Sequence, residues 1–237
     1  MSIYVTGDKH GDLKSVAWFA QEENLSAGDV IIVLGDAGLN YFGDARDERA
    51  KEAVARITPS ILCIHGNHEM RPQSLPDIYR ERHWKGGTVF VEDDFPNILF
   101  AKDGEIYDLD GISAIAVGGA YSVDKWYRLK QGWKWFSDEQ PSEEVKALVE
   151  EKLEALGWKV DIVLSHTCPF SYEPVEAFIP GIDQSSVDSS TELWLDRIEG
   201  RLDYKKWYCG HWHIEKEVGR MRFMYHEFEE IPKPSPR

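Results

Sequence analysis

The sequence predicts an α/β fold, and three observations carry that expectation. Short apolar runs alternate with amphipathic stretches from Ile3 to Ile64. A group of brief strand-like runs, two of its turns marked by Asp-Gly pairs, occupies the middle of the chain. The polar residues that stand out sit directly behind the apolar runs, where the loops of a largely parallel sheet gather their chemistry.

Taken in order, Ile3–Val5 reads as a buried strand and Leu13–Glu23 as a helix. Val30–Leu34 is a second strand, Arg46–Ile57 a second helix, and Ile61–Ile64 a third strand entered through the helix-stopping Thr58-Pro59. Strand and helix in this alternation imply parallel pairing with helical crossovers. Thr88–Val91, Ile98–Ala101, Glu105–Leu109 and Ile112–Val117 follow as short strands. Asp103-Gly104 and Asp110-Gly111 are hairpin signals between the last three, so an antiparallel meander is expected. The segment from Gly118 to Phe136 is rich in aromatics and reads as an irregular loop. Ser142 caps a helix over Val145–Leu156; Val160–Leu164 is a strand and Glu192–Ile198 a helix. Lys206–Cys209 and Arg222–Glu227 are the last strands, and Trp18 and Trp194 are expected in the core. The whole, 1–237, is read as a single domain in which 230–237 is a Pro-rich tail.

Composition limits the function. The chain has 237 residues, 42 % of them hydrophobic, and its 27 basic against 42 acidic residues give a net charge of −15. A stand-alone binder of duplex nucleic acid or of an anionic membrane needs a basic footprint, which this balance denies. A small phosphorylated substrate, a nucleotide included, is compatible, because bound metal can supply the positive charge locally. No apolar run approaches membrane-spanning length, and the N-terminus lacks the layout of a signal peptide. Cys63, Cys168 and Cys209 are odd in number and widely spaced, which suits a reducing cytoplasm rather than a disulfide framework.

Five clusters follow five strands: Gly7-Asp8-Lys9-His10-Gly11, Gly35-Asp36, Gly66-Asn67-His68-Glu69, Ser165-His166 and Gly210-His211-Trp212-His213. A lone Gly-Asp-x-His is more often a turn than a site, and His211 and His213 could simply alternate along a strand. All five in order, each at a strand end, are not explained that way. Carboxylate oxygen and imidazole nitrogen are ligands for borderline divalent ions such as Mn, Fe, Ni or Zn, and the absence of Cys argues against a structural zinc. Asp8, Asp36, His10, His166, His211, His213 and Asn67 are too many ligands for one ion, so two divalent metal ions sharing a carboxylate are expected.

With these motifs the sequence resembles the calcineurin-like metallophosphoesterase superfamily, and is similar to a bacterial and phage subgroup with a Gly-Gly-Ala segment and a Trp-rich loop. The resemblance implies a four-layer α/β/β/α sandwich of two mixed sheets flanked by helices. It implies that Asp8, His10 and His213 hold one ion, that Asn67, His166 and His211 hold the other, and that Asp36 bridges them. It makes His68 the group that contacts the phosphate and protonates the leaving oxygen, oriented by a nearby carboxylate. Ala37-Gly38-Leu39 stands where protein phosphatases of the superfamily carry Val-Asp-Arg, which argues against that activity.

The expected function is therefore dimetal-dependent hydrolysis of a phosphomonoester or phosphodiester by in-line attack of a metal-bridging hydroxide. Two rivals remain at this point: a non-catalytic metal-binding scaffold of the same fold, and a nuclease subunit of a larger complex. For the substrate side, Asn67 and His68 are candidate contacts, and Arg128 and Arg71 are candidate phosphate clamps because guanidinium matches phosphate bidentately.

Overall fold

The computed structural model describes residues 1–233. β1 (Ile3–Thr6) leads through α1 (Lys14–Glu22) to β2 (Val30–Val33), and through α2 (Ala45–Ala55) to β3 (Ser60–Cys63). These strands are apolar almost throughout because both of their faces are covered. They run parallel, with Tyr4 opposite Ile31 and Ile31 opposite Ile61. On the inner face of α1 only Val16 and Ala20 are buried, one turn apart. Trp18 lies between them in sequence and hence on the other side of the helix, 63 % exposed rather than in the core.

β4 (Arg80–Trp84), β5 (Gly87–Val91) and β6 (Ile98–Ala101) extend this sheet, β6 pairing in parallel with β3. The expected continuous meander then divides. β7 (Ile106–Asp108) and β8 (Ser113–Val117) pair with each other in a second sheet, so Asp103-Gly104 is a crossing between sheets and not a hairpin turn. Asp103 fixes the crossing, accepting the Gly118 N–H at 2.7 Å and pairing with Arg71 at 2.5 Å.

The aromatic segment contains a helix the sequence did not reveal, α3 (Lys125–Gln131). α4 (Glu143–Ala155) starts as expected at Ser142, whose hydroxyl accepts the Val145 N–H at 3.3 Å. Replacing Ser142 with Ala should cost about 1 kcal/mol in chemical denaturation, and an unchanged midpoint would mean the cap is idle. β9 (Ile162–Ser165), α5 (Ser190–Glu199) and β10 (Lys206–Cys209) follow. The strand expected over Arg222–Glu227 is shorter: β11 (Lys216–Val218) and β12 (Met221–Phe223) form a hairpin, and the chain then crosses to the first sheet as β13 (Phe228–Glu230). Glu230 is thus part of a strand and Ile231 is buried, donating to Ile3 O at 2.8 Å, so the tail begins later than residue 230. Its last positions, 234–237, lie outside the described residues.

The sheets have the orders β13-β1-β2-β3-β6-β5-β4 and β11-β12-β10-β9-β8-β7, each with a parallel centre and antiparallel edges. Ile32, Leu62, Leu99, Ala114 and Leu164 pack between them. Val16 and Val54 close the outer face of the first sheet, and Val149, Leu153 and Trp194 that of the second. Helix, sheet, sheet, helix is the expected four-layer sandwich. All central parallel strands end at one edge, which sets the position of every motif.

Candidate metal centre

β1 delivers Asp8 and His10, β2 Asp36, β3 Asn67 and His68, β9 His166, and β10 His211 and His213. All seven expected ligands meet. Ligand atoms of Asp8, His10 and His213 lie within 4.8 Å of one another, as do those of Asp8, Asp36 and His166. Nε2 atoms of His10 and His213 are 2.9 Å apart, and His213 Nε2 is 3.2 Å from Asp8 Oδ2. Asn67 Oδ1 lies 2.8 Å from His166 Nε2 and 3.1 Å from His211 Nδ1. Asp36 Oδ2 is 3.8 Å from His10 Nδ1 and 3.9 Å from His166 Nε2, so it reaches both groups, as a bridge must.

Neighbouring backbone orients these donors. Asp8 Oδ1 accepts the His211 N–H at 2.7 Å and Asp36 Oδ1 accepts the His68 N–H at 2.8 Å. Each carboxylate is thereby turned so that Oδ2 faces the centre. His166 Nδ1 lies 2.7 Å from Leu34 O, which sets the tautomer with hydrogen on Nδ1 and a lone pair on Nε2. Inward-facing carboxylate oxygens, imidazole nitrogens and an amide oxygen, with no lysine or arginine among them, form a donor set that fits divalent cations.

The backbone is strained where the ligands sit. Non-glycine residues in the left-handed region include His10 (φ 44°), Asp36 (φ 48°), His211 (φ 65°) and His213 (φ 51°). The glycine ahead of Asp36 is needed for a second reason. Gly35 has φ +99°, and a Cβ there would lie 2.0 Å from His166 Nδ1.

Burial dominates the protonation of the centre. Asp36 is raised above the ordinary carboxylate range by burial, and the Asp8 charge adds to this. Burial acts upward on Asp8 too, but His166, His213 and His10 outweigh it and hold Asp8 low. His211 is pushed down to about 3 by burial and by His166, which keeps its ring neutral. His213 is raised: burial works downward, and its hydrogen bond to Asp8 overcomes that.

His68 stands beside the centre, with its ring 3.2 Å from Asn67 Nδ2. The orienting carboxylate expected for it is not among its hydrogen-bond partners in the described residues. Burial, then the Arg128 charge, push His68 down to about 2. Arg128 lies in α3, bonded to Asp124 at 2.9 Å and to the Tyr41 hydroxyl at 3.2 Å. Arg71 is buried on Asp103 and donates to Asp138 O, so its role is to tie the sheets together and not to clamp phosphate. Lys9 turns away from the ligands to donate to Tyr225 O at 2.8 Å, and burial lowers it to about 8.

Sequence reasoning missed two features, the role of Glu69 within the third cluster and a cavity. Glu69 is buried and accepts the Gly66 N–H at 2.8 Å, and burial with the nearby Asp36 charge raises it to about 8. The signal for it was its spacing, three residues beyond the glycine whose amide it satisfies. The other is a cavity of about 320 Å³ that opens on Asp8, Asp36, His211 and His213. Its walls come largely from the segment between β9 and α5, whose composition gave no sign of this.

A sequence profile described as calcineurin-like phosphoesterase matches residues 1–215. Among solved structures, the chain is similar to phosphopantetheinyl hydrolase (PptH) from Mycobacterium tuberculosis, with 15 % identity and a TM-score of 0.52 over 94 % of this chain and 88 % of that one. It is similar to TT1561 of Thermus thermophilus, with 12 % identity and a TM-score of 0.51 over 97 % of each chain. At these identities the likeness concerns the fold alone. A search of curated proteins by sequence gave no match.

Proposed function

Because the chain belongs to the calcineurin-like phosphoesterase family, we propose that it hydrolyses a small phosphate ester using two divalent ions, Mn, Fe, Ni or Zn. Asp8, His10 and His213 would hold one ion and Asn67, His166 and His211 the other, with Asp36 between. The observation that carries this reading is the pair of carboxylates whose outer oxygens are tied to backbone N–H groups, leaving the inner ones directed at the imidazoles of His10, His166 and His213. When bound, the ions supply Lewis acidity and a hydroxide nucleophile near neutral pH.

The protein's own groups do the rest. Asn67 and His68 line the cavity in front of the ligands, where they would contact an entering phosphate, and Asn67 Nδ2 lies 3.2 Å from the His68 ring. His68 is neutral at rest, since burial and Arg128 hold it at about 2. The negative charge of an arriving phosphate raises it, so His68 gains its proton with the substrate and passes it to the leaving oxygen. Both monoesters and diesters suit this arrangement. A non-catalytic scaffold would lack a ligand or the acid, and all are present; a nuclease subunit would need a basic partner to offset the charge of −15.

Metal-reconstituted protein should bind two ions and turn over a chromogenic monoester or diester. His68→Asn should keep both ions and lose about a hundredfold or more in kcat. Full activity of that variant on an ester with a poor leaving group would remove His68 from the mechanism. Two bound ions with no turnover under any metal would restore the scaffold reading. The buried, unpaired state of Cys63, Cys168 and Cys209 supports a reducing compartment such as the cytoplasm. Among the described residues no helix is long and apolar enough to cross a membrane.

A further inference from the structure

The cavity in front of the ligands has walls that hydrolysis itself does not require. Trp212, between His211 and His213, stacks on Phe178 with ring centroids 5.8 Å apart and planes inclined at 27°. Ile179, Ile182 and Val187 continue this apolar wall. Ile179 remains 52 % exposed although it is aliphatic, so the wall offers uncovered apolar surface beside the reacting centre.

The charged residues of the same cavity all have one sign. Glu173, Glu192 and Asp124 line it, and none of its lining residues is Lys or Arg. Asp124 is already paired with Arg128. Glu192 is different: it is only 5 % exposed, and the neighbouring charges that act on it are Glu173 and Asp188. Burial, and then these like charges, push Glu192 up to about 7; burial raises Glu173 as well. A second phosphate placed beside Glu173 and Glu192 would meet carboxylates with no lysine or arginine of the cavity wall to offset them. An ammonium group would relieve the repulsion between Glu173 and Glu192, while the alkyl or aryl part of the same molecule covers Phe178 and Ile179.

We propose that this cavity receives the alcohol portion of the substrate and selects phosphate esters of apolar alcohols bearing an ammonium group over esters whose alcohol portion is anionic. The proposal rests on the phosphoester hydrolase reading above. It makes nucleoside polyphosphates poor substrates, because their remaining phosphates would enter an acidic cavity.

Three aryl phosphates of similar leaving-group strength test it: tyramine O-phosphate, para-ethylphenyl phosphate, and the phosphate of para-hydroxyphenylpropionic acid. With metal-loaded protein, kcat/KM should fall in that order, by about tenfold or more between the ends. Calorimetry with the corresponding non-hydrolysable phosphonates reads binding apart from turnover. Glu192→Gln should narrow the gap between ammonium and carboxylate. Ile179→Lys, at an exposed position where folding is little disturbed, should shift the preference toward the carboxylate. Equal kcat/KM for the three esters, or a preference for the carboxylate, overturns the subsite, as does indiscriminate binding of the phosphonates. If no ester turns over with any metal while the phosphonates bind in the expected order, hydrolysis is overturned and the selectivity of the cavity stands.

Discussion

Replacing Asp36 with Asn should abolish turnover and at the same time stabilise the metal-free protein. The two effects have one origin. Asp36 is buried near Asp8, and burial followed by that like charge raises its carboxyl above the ordinary value of 3.8. Without metal the ionised form is therefore a cost to the folded state. For an acid whose folded pKa lies above its unfolded one, this cost is absent below the unfolded value and complete above the folded value. Asn keeps an oxygen for the His68 N–H while removing the charge. The metal-free D36N protein should melt about 2–4 °C higher near neutral pH, and the gap should close as pH falls toward 3.8. On the proposed function, the metal-loaded protein should lose about a thousandfold in kcat/KM because the carboxylate that would lie between the two ions is gone. A variant that melts lower than wild type at neutral pH without metal would show that Asp36 is not strained in the way its burial implies.

Gly35→Ala should be among the most damaging single-methyl changes in the chain. The added Cβ would meet His166 Nδ1 at 2.0 Å, and the φ of +99° is one that alanine adopts only with strain. The imidazole has nowhere to retreat, since it is fully buried and its Nδ1 is bonded to Leu34 O. Loss of that bond also frees the tautomer that presents Nε2 to the ion. Denaturant unfolding should report a loss of about 3–5 kcal/mol, and metal analysis should find fewer than two ions per chain. A wild-type midpoint with two ions would show that β2 and His166 can separate freely.

The parallel core and the convergence of the candidate donors were legible for the same reason. Val30–Val33 and Ile162–Leu164 are continuous apolar runs because both faces are covered, and each parallel strand ends at the edge where its loop carries polar residues. Edge elements were not legible. β4 is Arg80-Glu81-Arg82-His83-Trp84, which carries neither an apolar run nor clean alternation because one flank faces solvent. β11 and β13 have three residues each, too short for any period to register. α3 buries none of its residues, so the apolar stripe that announces a helix is missing. Trp18 shows the converse error, in which aromatic character outweighed its position opposite Val16 and Ala20. In the site, residue type disclosed the donors but not their orientation. That comes from main-chain N–H groups and strained φ angles that no composition records.

The distance along the chain between the ligands has a consequence for biosynthesis. Asp8 and the His211 amide that positions it are separated by 203 residues, and the Lys9 side chain closes on Tyr225 across 216. Asp8 and His10 leave the ribosome long before His211 and His213 exist, so a nascent chain offers only scattered, weak donors. Tight capture of metal at the proposed centre would therefore be a late event that waits for β10 and for the return of β13 alongside β1. Metal occupancy in a cell would then register completed synthesis, and truncated or stalled chains would draw little from the metal pool.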